Sequence, residues 1–170
     1  MLRELHTELG IPSDYGRGGK RPEYAEATEL VDVGPNIVGK MQRLTPTTAV
    51  QWSAMQKAAA ADGITLLLVS GFRSIDYQAR LIRKKINAGQ QLEDILSVNA
   101  APGFSEHHTG CAIDIATPGS RPLTEEFDTS AAFGWLSEHG AAYGFSMSYP
   151  RDNPAGFIYE PWHWARHTAG

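Results

Sequence analysis

The chain has 170 residues, of which 42% are hydrophobic and 20% are charged, as is typical of one globular domain with its own hydrophobic core. Its formal net charge is −4 and it contains no block of lysine and arginine, so nothing indicates a basic surface for nucleic acid or an anionic membrane. The single cysteine excludes an intrachain disulfide and a zinc site built from several thiolates. We expect one domain with neither nucleic acid nor a membrane as its partner.

The N-terminal region shows no targeting segment and little regular pattern. Residues 1–19 lack the apolar core and cleavage site of a secretory signal, and no run approaches the roughly 20 apolar residues of a membrane helix. As written, the chain is expected to be cytoplasmic, whereas a periplasmic or exported protein trimmed of its signal would read the same. Residues 1–45 are rich in Gly and Pro, which predicts an irregular arm that wraps the domain.

Two helices and a strand are predicted before the middle of the chain. Thr45 and the proline after it can start a helix over residues 46–62, which a glycine ends. Residues 64–69 are continuously apolar and predict a central strand covered on both faces. A second helix over residues 74–88 can be capped by its first serine. This order puts Arg73 at the end of a strand, where an arginine often serves only as an ion-pair partner.

The second half of the chain predicts shorter elements. In chain order these are a short helix at 90–97, a strand-like segment around Asp114, a helix at 130–139, and two strands at 145–148 and 157–159 joined by a hairpin-type loop at 152–156. Pro161 is expected to end regular strand pairing.

Two short segments carry residues suited to a metal site. Residues 105–114, SEHHTGCAID, place His107 and Asp114 seven positions apart, and His163 ends the later segment EPWH. Imidazole and carboxylate are good ligands for zinc, and three protein ligands leave a fourth position for water. Glu160, three residues before His163, is close enough to take a proton from that water. Taken alone, these residue types are more often surface or hydrogen-bonded groups than ligands.

The pattern Ser-x-His-x-x-Gly-x-Ala-x-Asp followed by Glu-Pro-Trp-His resembles the zinc D,D-peptidases of the VanX/VanY type, whose wider group includes lysostaphin-like enzymes and the hedgehog domain. The resemblance runs from about residue 70 to residue 163 and includes Ser-Gly-Phe-Arg-Ser at 70–74. It implies a single α+β domain with a small, mainly antiparallel sheet, helices packed on one side and zinc in a cleft. It also implies one zinc ion per chain, bound by His107, Asp114 and His163.

The same resemblance implies roles for residues around the metal. Glu160 would be the proton shuttle, and Arg73 would stabilise the oxyanion or bind substrate. Ser105 and Gln78 would contact the substrate. Trp162 would wall the pocket, although an ordinary place in the aromatic core fits it equally well.

Several alternatives accompany this interpretation. His108 is a rival ligand, but in an extended segment its side chain would point away from that of His107. An iron oxygenase also uses two His and one carboxylate, yet it usually joins His and Asp across one intervening residue and gives Glu160 no role. A non-catalytic zinc module would need neither Glu160 nor Arg73.

The resemblance implies a monomeric D-alanyl-D-alanine carboxypeptidase or dipeptidase acting on peptidoglycan-derived peptides. An L,D-carboxypeptidase and an endopeptidase cutting between L-Ala and D-Glu remain open, because these activities differ in loops that the sequence does not explain. The motifs indicate no long cationic groove for a polymeric substrate.

Overall fold

The computed structural model, which describes residues 1–167, shows five α-helices and six strands in one α+β domain. The helices are α1 (Leu2–Leu9), α2 (Pro46–Ala61), α3 (Ile75–Asn87), α4 (Leu92–Val98) and α5 (Ala131–His139). The strands are β1 (Val31–Pro35), β2 (Met41–Leu44), β3 (Leu67–Ser70), β4 (Ala112–Ala116), β5 (Phe145–Met147) and β6 (His163–Arg166). None of the helices in this part of the chain combines the length and the apolar character needed to cross a bilayer.

The main sheet has the strand order β3-β4-β6-β5 with antiparallel neighbours throughout, so the expected fold class is confirmed. Helices α2 and α5 supply the side chains that cover one of its faces. Trp52 of α2 and Leu136 of α5 belong to the same buried cluster as Ile113, Ile115 and Trp164 of the sheet. Side chains alternate along a strand, so the residues between these apolar positions point to the opposite face.

That opposite face carries the candidate ligands. Asp114 lies between Ile113 and Ile115 on β4, and the antiparallel register pairs Asp114 with His163 and Ile113 with Trp164. Because directly opposed residues have their Cβ atoms about 5 Å apart, the pairing holds carboxylate and imidazole side by side. Packing of the apolar face in the core therefore fixes the positions of Asp114 and His163 on the opposite face.

Residues 1–45 are more regular than predicted. They contain α1 and the two-stranded β1–β2 hairpin, which the Gly- and Pro-rich composition concealed. Leu9 of α1 packs with Ile82 of α3 and Ile95 of α4 in a second buried cluster. Between the helix and the hairpin, the backbone of residues 24–27 donates hydrogen bonds to the carbonyl oxygens of Gly103 and His108. Residues 1–45 thus contact the rest of the domain through their own secondary structure and the segment between its elements.

Two strand predictions were wrong. The apolar run 64–69 was placed at the centre of the sheet, whereas β3 begins at Leu67 and lies at its edge. Leu66 and Leu68 of this run pack in the main buried cluster, and the hairpin covers the strand edge, where Ile37 donates a backbone hydrogen bond to the Leu68 carbonyl oxygen. Residues 157–159 form no strand, since the Asn153 side chain bonds both the N–H and the carbonyl of Phe157 and holds a loop instead.

The returning strand is β6, which starts after Pro161. Pro161 lies at the end of the loop. It does not end strand pairing, because residues 163–166 just after it pair with both β4 and β5. The predicted helices at 46–62 and 74–88 are confirmed as α2 and α3, and the hydroxyl of Ser74 accepts a hydrogen bond from the Tyr77 N–H as a helix cap.

Candidate active site

Three candidate ligands converge from three elements. His107 lies in a 3₁₀ turn, Glu106–Thr109, while Asp114 and His163 lie on β4 and β6. One donor atom from each lies within 4.8 Å of the others, and all three residues are buried. His107 Nε2 is 3.2 Å from Asp114 Oδ2, and His163 Nδ1 is 2.9 Å from Asp114 Oδ1. Ligands of tetrahedral zinc at bond lengths of 2.0–2.1 Å lie about 3.3 Å apart, so these separations fit a zinc site.

The tautomer of His107 leaves a lone pair aimed at Asp114. Its Nδ1–H donates to the Gly71 carbonyl oxygen at 2.7 Å, so Nε2 carries no proton. Burial, with the positive charge of Arg73, lowers the pKa of His107 to about 4 and keeps the ring neutral. Nε2 is buried and has no hydrogen bond within the described residues. Two acceptor atoms facing each other at 3.2 Å repel unless a cation lies between them, which is the fit expected of a metal ligand.

Two glycines allow this approach. Gly71 lies so close to β2 that a Cβ would come within 2.7 Å of the Arg43 carbonyl oxygen, which leaves room for no side chain. Gly110 ends the 3₁₀ turn with a φ of 67°, the left-handed conformation that glycine adopts without cost. Gly110 therefore lets the backbone turn tightly between His107 and Asp114.

His163 is held between two carboxylates, one of which sequence reasoning missed. Its Nε2 lies 2.8 Å from Glu106 Oε2, while its Nδ1 faces Asp114. Burial opposes a charge on the ring, but hydrogen bonds to Asp114 and Glu106 raise the pKa of His163 to about 10. Metal binding requires a neutral imidazole, so a bound ion would replace the Nδ1 proton while Nε2–H still donates to Glu106.

Glu106 is itself fixed by neighbours. Ser148 donates its hydroxyl to Oε2 at 2.6 Å, and the Tyr24 hydroxyl donates to Oε1 at 3.5 Å. Burial would raise the pKa of Glu106, but the hydrogen bonds from His163 and Ser148 lower it to about 2. The only sequence signal was a carboxylate beside a proposed ligand, because His163 is far away in the chain. Such outer partners orient metal-bound histidines in many sites.

Glu160 lies in the same cavity as the ligands. It is buried and lines a small cavity of about 30 Å³ together with His107, His163 and Arg73. Its carbonyl oxygen accepts a hydrogen bond from the His163 N–H, so one turn brings both side chains to the cavity. Burial raises the pKa of Glu160 to about 7, and the negative charge of Asp114 contributes while His163 opposes it.

The backbone of Arg73 is hydrogen-bonded to the 3₁₀ turn that carries His107. Its N–H donates to the His107 carbonyl oxygen at 3.1 Å, and its own carbonyl oxygen accepts from His108 Nδ1 at 2.6 Å. The guanidinium lies 4.0 Å from Asp114, and its Nε is buried without a hydrogen bond in the described residues. One donor of this side chain is therefore available to a ligand in the cavity.

His108 is not placed as a ligand. It lies in the 3₁₀ turn and not in an extended segment, which corrects the geometry assumed from the sequence. Its Nε2 accepts from the Gly103 N–H at 3.0 Å while Nδ1 bonds Arg73, so both ring nitrogens are occupied. His108 thus ties the Arg73 loop to the chain before the motif.

The three predicted substrate-binding residues have different surroundings. Ser105 lines the cavity, and its hydroxyl accepts from the His107 N–H at 3.3 Å. Gln78 is buried on α3 and donates to the carbonyl oxygen of Ala100, a cavity-lining residue, while its own Oε1 has no partner in the described residues. Trp162 packs in the main core and does not line the cavity.

The aromatic wall of the cavity comes from other residues. Tyr149 stacks on the His163 ring with 4.9 Å between centroids, and Phe157 contacts Tyr149 edge to face. Both line the cavity, and both belong to the loop that follows β5. Sequence patterns could not predict this wall, because the loop is positioned by tertiary hydrogen bonds such as that from the Ile158 N–H to the Ser97 carbonyl oxygen.

Comparison with known proteins agrees with this geometry. The profile of the VanY family, described as D-alanyl-D-alanine carboxypeptidase, matches residues 41–168. The chain belongs to the VanY family. The VanY match includes all three candidate ligands and Glu160, and it leaves residues 1–40 outside.

Individual relatives of this VanY-family chain differ in their activities. It is 32% identical over 170 residues to YodJ of Bacillus subtilis (strain 168), which is named as a carboxypeptidase; the match covers 96% of this chain and 58% of YodJ. It is similar to the LdcB LD-carboxypeptidase, with a TM-score of 0.74 and 31% identity over 85% of this chain and 71% of that chain. It is also similar to the vancomycin-resistance D,D-pentapeptidase VanY in complex with Zn(II), with a TM-score of 0.64 and 27% identity over 82% and 79% of the two chains. The chain thus spans little more than half the length of YodJ.

Proposed function

We propose that this protein is a zinc-dependent peptidase that removes C-terminal D-alanine from peptidoglycan-derived peptides, as a D,D-carboxypeptidase or dipeptidase. One observation carries the proposal: ligand atoms of the buried residues His107, Asp114 and His163 lie within 4.8 Å of one another, and both histidines line a small cavity together with Glu160. Family membership supports the class of substrate, and the solved VanY complex with Zn(II) supports the metal.

The chain's own residues account for metal binding and proton transfer. His107, Asp114 and His163 would hold one zinc ion, and zinc, when bound, supplies the Lewis acid that activates water and polarises a carbonyl. Glu160 takes the proton of the attacking water and gives it to the departing amine as the C–N bond breaks. In the metal-free protein burial raises the pKa of Glu160 to about 7, and the same burial favours the protonated form that Glu160 reaches after taking the proton.

Arg73 is suited to negative charge on the substrate. The buried Nε has no partner in the described residues, and the guanidinium lines the cavity beside His107 and Glu160. It can stabilise the oxyanion that forms at the scissile carbonyl or bind the terminal carboxylate, because a guanidinium donates paired hydrogen bonds to either. Ser105 supports this site by holding the turn that carries His107.

A second candidate is an L,D-carboxypeptidase, which the likeness to LdcB favours. The two reactions differ in the residue on the amino side of the cleaved bond and use the same ligands and base. Tyr149 and Phe157 narrow the cavity beside the candidate ligands, which favours a substrate that ends near the cleaved bond, so we rank an endopeptidase below both carboxypeptidase reactions.

The experiment compares products from defined peptides after zinc reconstitution. The substrates are D-Ala-D-Ala, a pentapeptide ending in D-Ala-D-Ala, its C-terminal amide, and a tetrapeptide ending in L-Lys-D-Ala, and products are identified by mass. Release of D-Ala from the free-acid pentapeptide or from the dipeptide, reduced about tenfold or more by amidation, is expected. Glu160→Gln serves as the inactive control. Cleavage of the tetrapeptide alone would select the L,D reaction, and no cleavage of any peptide would reject the proposal.

A further inference from the structure

A groove of about 600 Å³ adjoins the candidate active site, between the β1–β2 hairpin, β3 and α3. Its basic lining residues are Lys40, Arg43, Arg73, Arg80 and Lys85. Asp114 is the only carboxylate lining this groove in the described part of the chain. Five of the 15 lysines and arginines therefore gather at one place in a chain of net charge −4. The sequence indicated no cationic groove, and the structure corrects that prediction.

The groove and the catalytic cavity share part of their lining. Arg73 and Asn99 line both, and Asp114 lines the groove while its carboxylate contacts the two histidines of the cavity. A peptide held for attack at the zinc site can therefore extend past Arg73 into the groove. Consecutive residues of an extended chain advance about 3.3 to 3.6 Å each, so the residues nearest the cleaved bond would reach it first.

Most of these cations lack an anionic partner. Arg80 pairs with Asp76, but Lys40, Arg43 and Lys85 have no carboxylate within 4.0 Å among the described residues. Arg43 lies over the Phe72 ring, 5.4 Å from its centroid, and Lys85 donates to the side-chain oxygen of Asn99.

Lys85 is the least solvated of the unpaired cations. It is half-buried, and burial together with the positive charge of Arg73 lowers its pKa. Like charges gathered in a partly buried groove repel each other, and a bound anion relieves that repulsion.

We propose that this groove binds a carboxylate of the substrate other than its C-terminal one, so that the preferred substrates are acidic peptides. The inference rests on the proposed function, because the groove would extend that same site. A side-chain carboxylate near the cleaved bond is the chemistry that Lys85 and Arg43 fit, since both present donors to a groove that holds almost no competing anion.

The test uses two matched pairs of D-Ala-D-Ala pentapeptides. In one pair the third residue is meso-diaminopimelate or its side-chain amide; in the other the second residue is γ-linked D-glutamate or D-isoglutamine. Each pair differs by one negative charge and little in shape. Turnover is measured on the zinc-loaded protein, and binding is measured by calorimetry on Glu160→Gln protein, which does not consume the peptide.

The variant is Arg43→Gln/Lys85→Gln, and the control is Lys57→Gln/Lys84→Gln. The control removes the same charge from α2 and α3, at positions that do not line the groove. We expect the wild-type protein to bind and cleave the acidic member of at least one pair about tenfold better than its amide. The groove variant should lose that preference while cleaving the amide as before, and the control should keep it.

The outcomes separate the inference from the proposed function. Equal binding of acid and amide by the wild-type groove, or a preference that survives in Arg43→Gln/Lys85→Gln, would overturn the inference even if all peptides were cleaved. A preference in binding without any release of D-alanine would support the groove and overturn the proposed function. If the groove variant and the control both lost the preference for the acidic peptide, the preference would come from net charge, and binding in the groove would be rejected.

Discussion

Replacing Glu106 by glutamine should weaken zinc binding by about 10- to 100-fold, the usual cost of losing the outer partner of a metal-bound histidine. Glutamine keeps the shape of the side chain but removes the charge that accepts His163 Nε2–H at 2.8 Å. That hydrogen bond fixes the tautomer in which Nδ1 faces Asp114. A factor of 10 to 100 corresponds to about 1.4 to 2.8 kcal/mol, consistent with exchanging a charged acceptor for a neutral one.

The assay is competition for zinc against a chromophoric chelator, below the melting temperature of both proteins. The control is Glu126→Gln, which removes one carboxylate that is exposed and pairs with Arg121 away from the site. The visible spectrum of the Co²⁺-substituted protein gives a second readout, because its bands change with ligand geometry and not with stability alone. Wild-type zinc affinity and an unchanged cobalt spectrum in Glu106→Gln would show that Glu106 does not position His163.

Three further predictions follow from the same cavity. Glu160→Ala should keep zinc, by metal analysis, while kcat falls about 100- to 10,000-fold through loss of proton transfer; wild-type kcat would remove this role. Arg73→Ala should lower kcat/KM about 100- to 1,000-fold, and unchanged kinetics on a D-Ala-terminated peptide would leave Arg73 as an ion-pair partner only. In metal-free protein, Glu160 has a pKa of about 7 when folded and 4.5 ordinarily, so its charged form opposes folding. Stability should therefore decline by about 3 kcal/mol as the pH rises from 4.5 to above 7, whereas Glu160→Gln should lack this decline in thermal melts; parallel curves would contradict the burial argument.

The closeness of His107 to Asp114 and the flanking helices could be predicted because their signals are local, whereas only the family resemblance points to His163. His107 and Asp114 lie in one short motif, and α3 begins at a capping serine and ends near a glycine. The position of β3 could not be predicted, because an apolar run has the same composition whether helices or a hairpin cover it. Glu106 was missed for a related reason: its partner His163 is brought to it only by the pairing of β4 with β6.

The basic groove shows the same limit on a larger scale. Lys40, Arg43 and Lys85 come from a hairpin loop, a strand and a helix, and Lys85 is the only member of the short basic run 83–85 that lines the groove. Only the packing of these elements creates the concentration of charge beside Arg73. The composition gives only the net charge of the whole chain, which is negative. The fold determines the local electrostatic potential.

The strand order of the main sheet has a consequence for how the chain folds during synthesis. Strand β6 is synthesised after β4 and β5, yet it occupies the position between them in the main sheet. Until residues 163–166 emerge, β4 presents an open edge, and an open edge is a template for pairing with other chains. The same four residues include His163, the third candidate ligand. A nascent chain that ends at residue 160 would thus lack a central strand of the main sheet and one candidate ligand, and its open strand edge should make it prone to pairing with other chains.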